Sequence, residues 1–184
     1  MSASESALVF LAPEAEALVQ AFRDRHDPAA AEGMPAHITV LYPFKPPDAI
    51  DPSVQDGLRQ CLAAFAPFRF TLAEVRRFES PIAVLYLEPE PADRFRALTE
   101  AIWRRWPETP PYRGRHADII PHLCVAQVHD RQQLDQIALR FAPAAAAMLP
   151  IRAMAAEVAL MDTRSGRWQV RTTFDPGSTA SSST

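Results

Sequence analysis

Along this chain the spacing of apolar residues changes several times, and each change marks an element. The unbroken run Ala7 to Ala12 suits a buried strand. Pro13 then opens a helix, with Glu14 and Glu16 in its first turn and Leu18, Val19 and Phe22 on one face. Asp27 to Pro35, with proline, glycine and a short alanine run, reads as a loop before a second strand, Ala36 to Tyr42. Pro43, Pro46 and Pro47 end that strand. Asp51-Pro52 supplies a cap and a first-turn proline for a helix bearing Val54, Leu58, Leu62 and Phe65. Phe68, Phe70 and Leu72 alternate with Arg69 and Thr71 as a half-buried strand. Beyond Glu79-Ser80-Pro81, Ile82 to Leu87 reads as a strand covered on both faces.

Pro91 starts a further helix, with Phe95, Leu98, Ile102 and Trp106 as its stripe and Trp103 also assigned to its core side. Pro107 to Asp118 is a long loop, and Ile119 to Val128 the next strand. Asp130 caps a helix through Leu134, Ile137, Ala138 and Phe141, with a break expected at Pro143. Two last strands, Ile151 to Met161 and Arg167 to Phe174, flank a turn at Asp162 to Gly166. The order predicts an α+β fold whose two halves each carry a histidine on a strand, then a helix and a strand pair. Residues 1–174 are expected to form one bilobal domain, and 175–184, rich in Ser and Thr, a disordered tail.

The 184 residues, 48% of them hydrophobic, match one globular domain. With 19 basic and 22 acidic residues the net charge is −3, which disfavours a coater of duplex DNA or long RNA but leaves room for a local phosphate pocket. No apolar run approaches the roughly 20 residues of a membrane span, and Met1 to Ser6 lacks the basic start of a signal peptide. Cys61 and Cys124 are too few for a disulfide framework. The expectation is a soluble, reduced, cytoplasmic protein without a membrane partner.

Two segments carry chemistry. In Pro35-Ala36-His37-Ile38-Thr39-Val40, the strand period puts His37 and Thr39 on one face and Ile38 and Val40 on the other. In Pro121-His122-Leu123-Cys124-Val125, His122 and Cys124 share a face opposite Leu123 and Val125. Each strand thus offers an imidazole and a small polar group to one side and aliphatics to a core. A single such strand is more often structural; the pairing of two at corresponding places in the halves is what points to a site. The chain has no Gly-rich phosphate loop.

These motifs resemble the two-histidine (2H) phosphoesterase superfamily, of the 2′-5′ RNA ligase and 2′,3′-cyclic phosphodiesterase type, marked by two His-x-Thr/Ser-x motifs with hydrophobic x. The resemblance runs from about Leu8 to Phe174 and includes Leu41-Tyr42-Pro43-Phe44. It implies a bilobal, pseudo-symmetric fold, with two mainly antiparallel sheets and flanking helices around a central cleft. It also implies cleavage of a cyclic phosphate or 2′-5′ linkage at an RNA end or in a small cyclic nucleotide, with reverse ligation as the companion reaction and with neither metal nor cofactor. His37 and His122 take the acid/base positions, and Thr39 and Cys124 the phosphate-binding ones. Cys124 departs from the Thr or Ser of the pattern, and a thiol is a weak donor.

Histidine suits both proton tasks because its ordinary pKa of about 6.5 allows one neutral and one protonated ring near neutrality. Tyr42 after the first motif, and Tyr112, Arg113 and Arg115 before the second, are candidate substrate-binding residues, the arginines to clamp phosphate or stack a base; a solvated loop is the competing reading. Trp168 reads as a strand-packing aromatic, and His26, His116 and His129 as solvated. The alternative function is a nucleotide-binding module of the same fold with weakened catalysis. A zinc site from His37, His122 and Cys124 is a third reading, disfavoured by the lack of further ligands around them.

Overall fold

The structure is a computed structural model and describes residues 4–79, 82–116 and 118–178. Strand β1 (Ser6–Leu11) is followed by helices α1 (Pro13–His26) and α2 (Pro28–Ala31), strand β2 (His37–Leu41) and helix α3 (Pro52–Ala63). Strands β3 (Phe68–Phe78) and β4 (Ala83–Glu90) lead to helix α4 (Ala92–Arg105), strand β5 (Leu123–Val128) and helix α5 (Arg131–Met148). Strands β6 (Ile151–Ala155), β7 (Val158–Asp162) and β8 (Gln169–Phe174) follow. The caps act as the sequence suggests: Asp51 accepts from the Val54 amide and Asp130 from that of Gln132. Among the described residues no helix is long and apolar enough to cross a membrane.

The strands form two antiparallel four-stranded sheets, in the orders β2-β1-β7-β8 and β5-β4-β3-β6. These sheets do not follow the halves of the chain. The first joins the N-terminal strands β1 and β2 to the last two strands, with Ser6 opposite Asp162, while the second is built from the middle. The histidine-bearing strands β2 and β5 are each an edge of their sheet, and they come within 8 Å of each other at Cα. Two lobes thus meet along the strands that carry the motifs.

One hydrophobic core spans both lobes. Phe10 on β1 lies edge-on to Phe68 on β3 at 6.1 Å and to Phe95 on α4 at 5.5 Å, and Phe95 also meets Phe70 at 5.3 Å. Aromatic contacts of this kind tie the sheets by burial and by edge-to-face geometry.

Several expectations need correction. The strand expected over Ile151 to Met161 is two strands in different sheets: β6 is half-buried and alternating, β7 buried throughout, and exposed Ala156 and Glu157 carry the chain between lobes. Helix α5 continues through Pro143, because the carbonyl it releases, that of Leu139, lies on a turn whose side chain is 68% exposed, where water can satisfy it. The strand expected from Ile119 begins only at Leu123, since Pro121 has no amide to donate to a ladder. The loop at Asp27 to Pro35 contains α2, whose Ala29 amide donates to the Asp27 carboxylate. Trp103 is 38% exposed and is not core. Of the expected tail, Asp175 to Ser178 form a turn in which the Gly177 amide donates to the Leu62 carbonyl; residues 179–184 lie outside the described residues.

Candidate functional site

Both motifs show the expected alternation: His37, Thr39, His122 and Cys124 are half-buried, whereas Ile38, Val40, Leu123 and Val125 are buried. His37 is the first residue of β2, and His122 stands immediately before β5. Each ring is held alike. Nδ1 of His37 lies 2.8 Å from the Pro35 carbonyl oxygen, and Nδ1 of His122 lies 2.8 Å from that of Ile120. A carbonyl can only accept, so Nδ1 carries the proton and Nε2 is the nitrogen left for chemistry.

Burial lowers the His37 pKa to about 4, against the opposing pull of the Pro35 carbonyl; Arg23 lowers it further, Asp27 raises it, and His122 lowers it. His122 is lowered too, by burial first, with the Ile120 carbonyl and Asp27 opposing and His116 adding to the fall. Each ring is therefore within electrostatic reach of the same buried Asp27.

Behind the site lies a pair that the reading of the sequence missed. Arg23 and Asp27 of the α1 end are 2% and 6% exposed, and Arg23 Nε donates to Asp27 Oδ2 at 3.0 Å while its Nη2 donates to the Met34 carbonyl. The available signal was the four-residue spacing Ala15, Val19, Arg23, Asp27, which continues an apolar stripe with two opposite charges. Burial, followed by the nearby negative charge of Asp27, pushes the Cys124 thiol pKa above the usual thiol value. It stays protonated, which removes a thiolate nucleophile from consideration.

Tyr112 joins the motifs. Its ring centroid is 6.4 Å from that of His122 with the planes 25° apart, and the Thr39 hydroxyl is near enough to the phenol to oppose the rise in its pKa. Burial raises the phenol pKa to about 12. Tyr112 and Arg113 both have positive φ, 50° and 59°, a region where the Cβ atom crowds the backbone carbonyl. They are held by the Tyr112 amide on the Tyr42 carbonyl at 2.6 Å, the Arg113 amide on the Pro110 carbonyl at 2.9 Å and the Arg113 guanidinium on Glu5 Oε1 at 2.6 Å, and the Tyr42 hydroxyl donates to Glu5 Oε2 at 2.6 Å. The sequence could not announce Glu5, because both its partners are remote in the chain.

Of the other candidates, Tyr42 packs against Tyr112 and buried Trp168 and is part of the frame. Arg113 is turned to Glu5, and Arg115 is exposed, its guanidinium in no hydrogen bond or ion pair among the described residues. His116, expected to be solvated, is exposed but lies edge-on to Tyr112 at 5.6 Å. Phe78 and Tyr86 flank His122 at 5.1 and 5.6 Å. A cavity of about 850 Å³ is lined by Tyr112, His116 and Ile120 together with Arg96, Trp103 and Arg104 of α4; His37, Thr39, His122 and Cys124 are not among its lining residues. Among the described residues no three His, Cys, Asp or Glu side chains are grouped to hold a metal ion.

A family model described as the 2′-5′ RNA ligase superfamily matches residues 11–167. Solved structures share the fold at low identity. TT0787 of Thermus thermophilus is 18% identical over 94% of this chain and 98% of its own, with a TM-score of 0.63. Escherichia coli LigT complexed with 3′-AMP is 14% identical over 94% of this chain and 97% of its own, with a TM-score of 0.57. No curated protein matches the chain.

Proposed function

The chain belongs to the 2′-5′ RNA ligase superfamily, the 2H phosphoesterases, and from that premise we propose that it opens 2′,3′-cyclic phosphate or 2′-5′ phosphodiester linkages at RNA ends or in nucleotides. The observation that carries the reading is the like anchoring of two imidazoles, each by its Nδ1 on a backbone carbonyl, on strands that approach across the lobes. One Nε2 takes the proton of water as its oxygen bonds to phosphorus. The other Nε2 gives a proton to the sugar oxygen as the phosphorus–oxygen bond to it breaks. The ring that gained a proton and the ring that lost one are restored by exchange with solvent. With a ribose hydroxyl in place of water, the same sequence on a cyclic phosphate joins two ends without ATP, and its reverse cuts that linkage.

Thr39 donates to a nonbridging oxygen as charge gathers there. The nucleoside portion has room in the cavity beside Tyr112, where the Trp103 indole and two arginines offer stacking and charge. LigT crystallised with 3′-AMP is a relative of this fold holding a nucleotide with a terminal phosphate, which supports a substrate of that kind. The second reading, a binding module with weakened catalysis, draws on Cys124, whose thiol faces Asp27.

The test is a panel of 2′,3′-cyclic nucleotides, cyclic-phosphate RNA ends and 2′-5′-linked oligonucleotides, assayed with excess chelator. Turnover of at least one class is expected. Saturable binding without any turnover establishes the module instead, and turnover that the chelator abolishes rules out the metal-free route.

A further inference from the structure

The phosphate seat receives one hydroxyl from β2, that of Thr39, and none from β5, where Cys124 stands and its thiol neighbours the Asp27 carboxylate. A phenol enters the same place from outside either motif. Tyr112 comes from the segment between α4 and β5, where two successive residues with positive φ are held by the Tyr42 carbonyl and the Glu5 carboxylate. Such backbone persists only where its surroundings over-determine it, and what it delivers here is one side chain. The Tyr112 ring lies along His122 and its hydroxyl lies by Thr39, with Cys124 close enough for a charge there to be felt at the phenol.

Resting on the phosphoesterase reading, we propose that Tyr112 is the second hydroxyl donor to the phosphate, replacing the hydroxyl that Cys124 does not have. The phenol and the Thr39 hydroxyl neighbour one another. A nonbridging oxygen inserted between them takes one hydrogen bond from each, and a phenol is a far better donor than a thiol. The high pKa of the buried phenol keeps its proton in place throughout the working range.

The test compares the wild type with Tyr112→Phe, Cys124→Thr and the double variant, with Cys124→Ser as the alternate where Thr crowds the strand. Thermal melts verify folding. Two quantities are read: kcat/KM on a 2′,3′-cyclic nucleotide, and affinity for inorganic phosphate by calorimetry. Removing one donor to a developing oxyanion costs about 10²-fold. Tyr112→Phe should therefore lose activity on that order and weaken phosphate binding, and Cys124→Thr should recover most of both losses in the double variant. The proposal is overturned if Tyr112→Phe keeps wild-type values in both readouts, since the ring would then serve only to stack. It also fails if the Tyr112→Phe loss is equal in the two Cys124 backgrounds. If the wild type turns over no cyclic nucleotide, the phosphoesterase reading falls separately, and the same pattern in phosphate affinity decides this proposal; wild-type protein that binds no phosphate refutes it.

Discussion

His37 and His122 are held by one device: the Nδ1 of each ring lies 2.8 Å from the carbonyl oxygen of the residue two places earlier in the chain. The bond fixes ring plane and tautomer together, so it presents Nε2 without freedom to turn away. His37→Ala and His122→Ala should each reduce turnover by about 10²–10⁴-fold, the usual worth of a positioned proton-transfer group. Melting temperatures near that of the wild type would show that the loss is chemical. Wild-type turnover in either variant refutes the two-histidine mechanism.

The pH profile follows from the same rings. Both are depressed below 6.5 by burial, His37 to about 4. The ring that acts as acid must be protonated, so the alkaline limb of kcat/KM should fall below pH 6.5. The ring that acts as base must be neutral, which sets the acid limb, and the profile is a bell on the acid side of neutrality. An optimum of kcat/KM above pH 7 contradicts this. In kcat the alkaline limb should move upward, because bound phosphate favours the imidazolium.

Acid should also cost stability. The folded pKa of His37 is lowered, so the unfolded chain binds more protons between pH 6.5 and about 4. Stability contributed by the neutral ring is complete above pH 6.5 and is lost as the pH falls through that window, by about 3 kcal/mol at most. His37→Gln should flatten the fall in urea midpoint between pH 7 and 4.5; an unchanged slope contradicts the assignment.

Asp27→Ala should be among the most damaging substitutions near the site. It leaves the Arg23 guanidinium buried with only the Met34 carbonyl, and an unpaired buried charge costs about 3–5 kcal/mol. Asp27 also raises both histidines, so Asp27→Asn should move the alkaline limb of kcat/KM further down in pH. A limb that stays in place would show that Asp27 acts on the fold alone.

Phe95→Ala tests the union of the lobes. Phe95 touches Phe10 of one sheet and Phe68 and Phe70 of the other, and removing such a side chain costs about 3–5 kcal/mol. One transition at lower denaturant is expected. Two transitions would mean that the lobes unfold as separate units.

Periodicity made the motif faces legible, because burial of Ile38, Val40, Leu123 and Val125 forces their polar neighbours outward. It located the helices through Asp51, Asp130 and the stripes of α3 and α4. It was blind to pairing. Nothing local distinguishes β6 from β7 except the shift from alternating to unbroken burial, and which sheet each joins depends on strands far away. The bonds of Glu5 to Tyr42 and Arg113 were illegible for the same reason, since a strained backbone held by remote partners leaves no local spacing to read. Pro143 misled in the opposite way: a breaker matters little where water can replace the bond it removes.

The route of the first sheet sets an order on its own making. The β1–β2 pair, closed across α1 and α2, can form early, but the β1 edge that pairs with Val158–Asp162 stays open until that segment is available, while β3 to β6 can assemble from nearer neighbours. Such late closure is slow, and the waiting edge is a template for wrong association. A ribosome-bound or chaperone-free chain is thus most vulnerable during the interval between the first lobe's beginning and its completion.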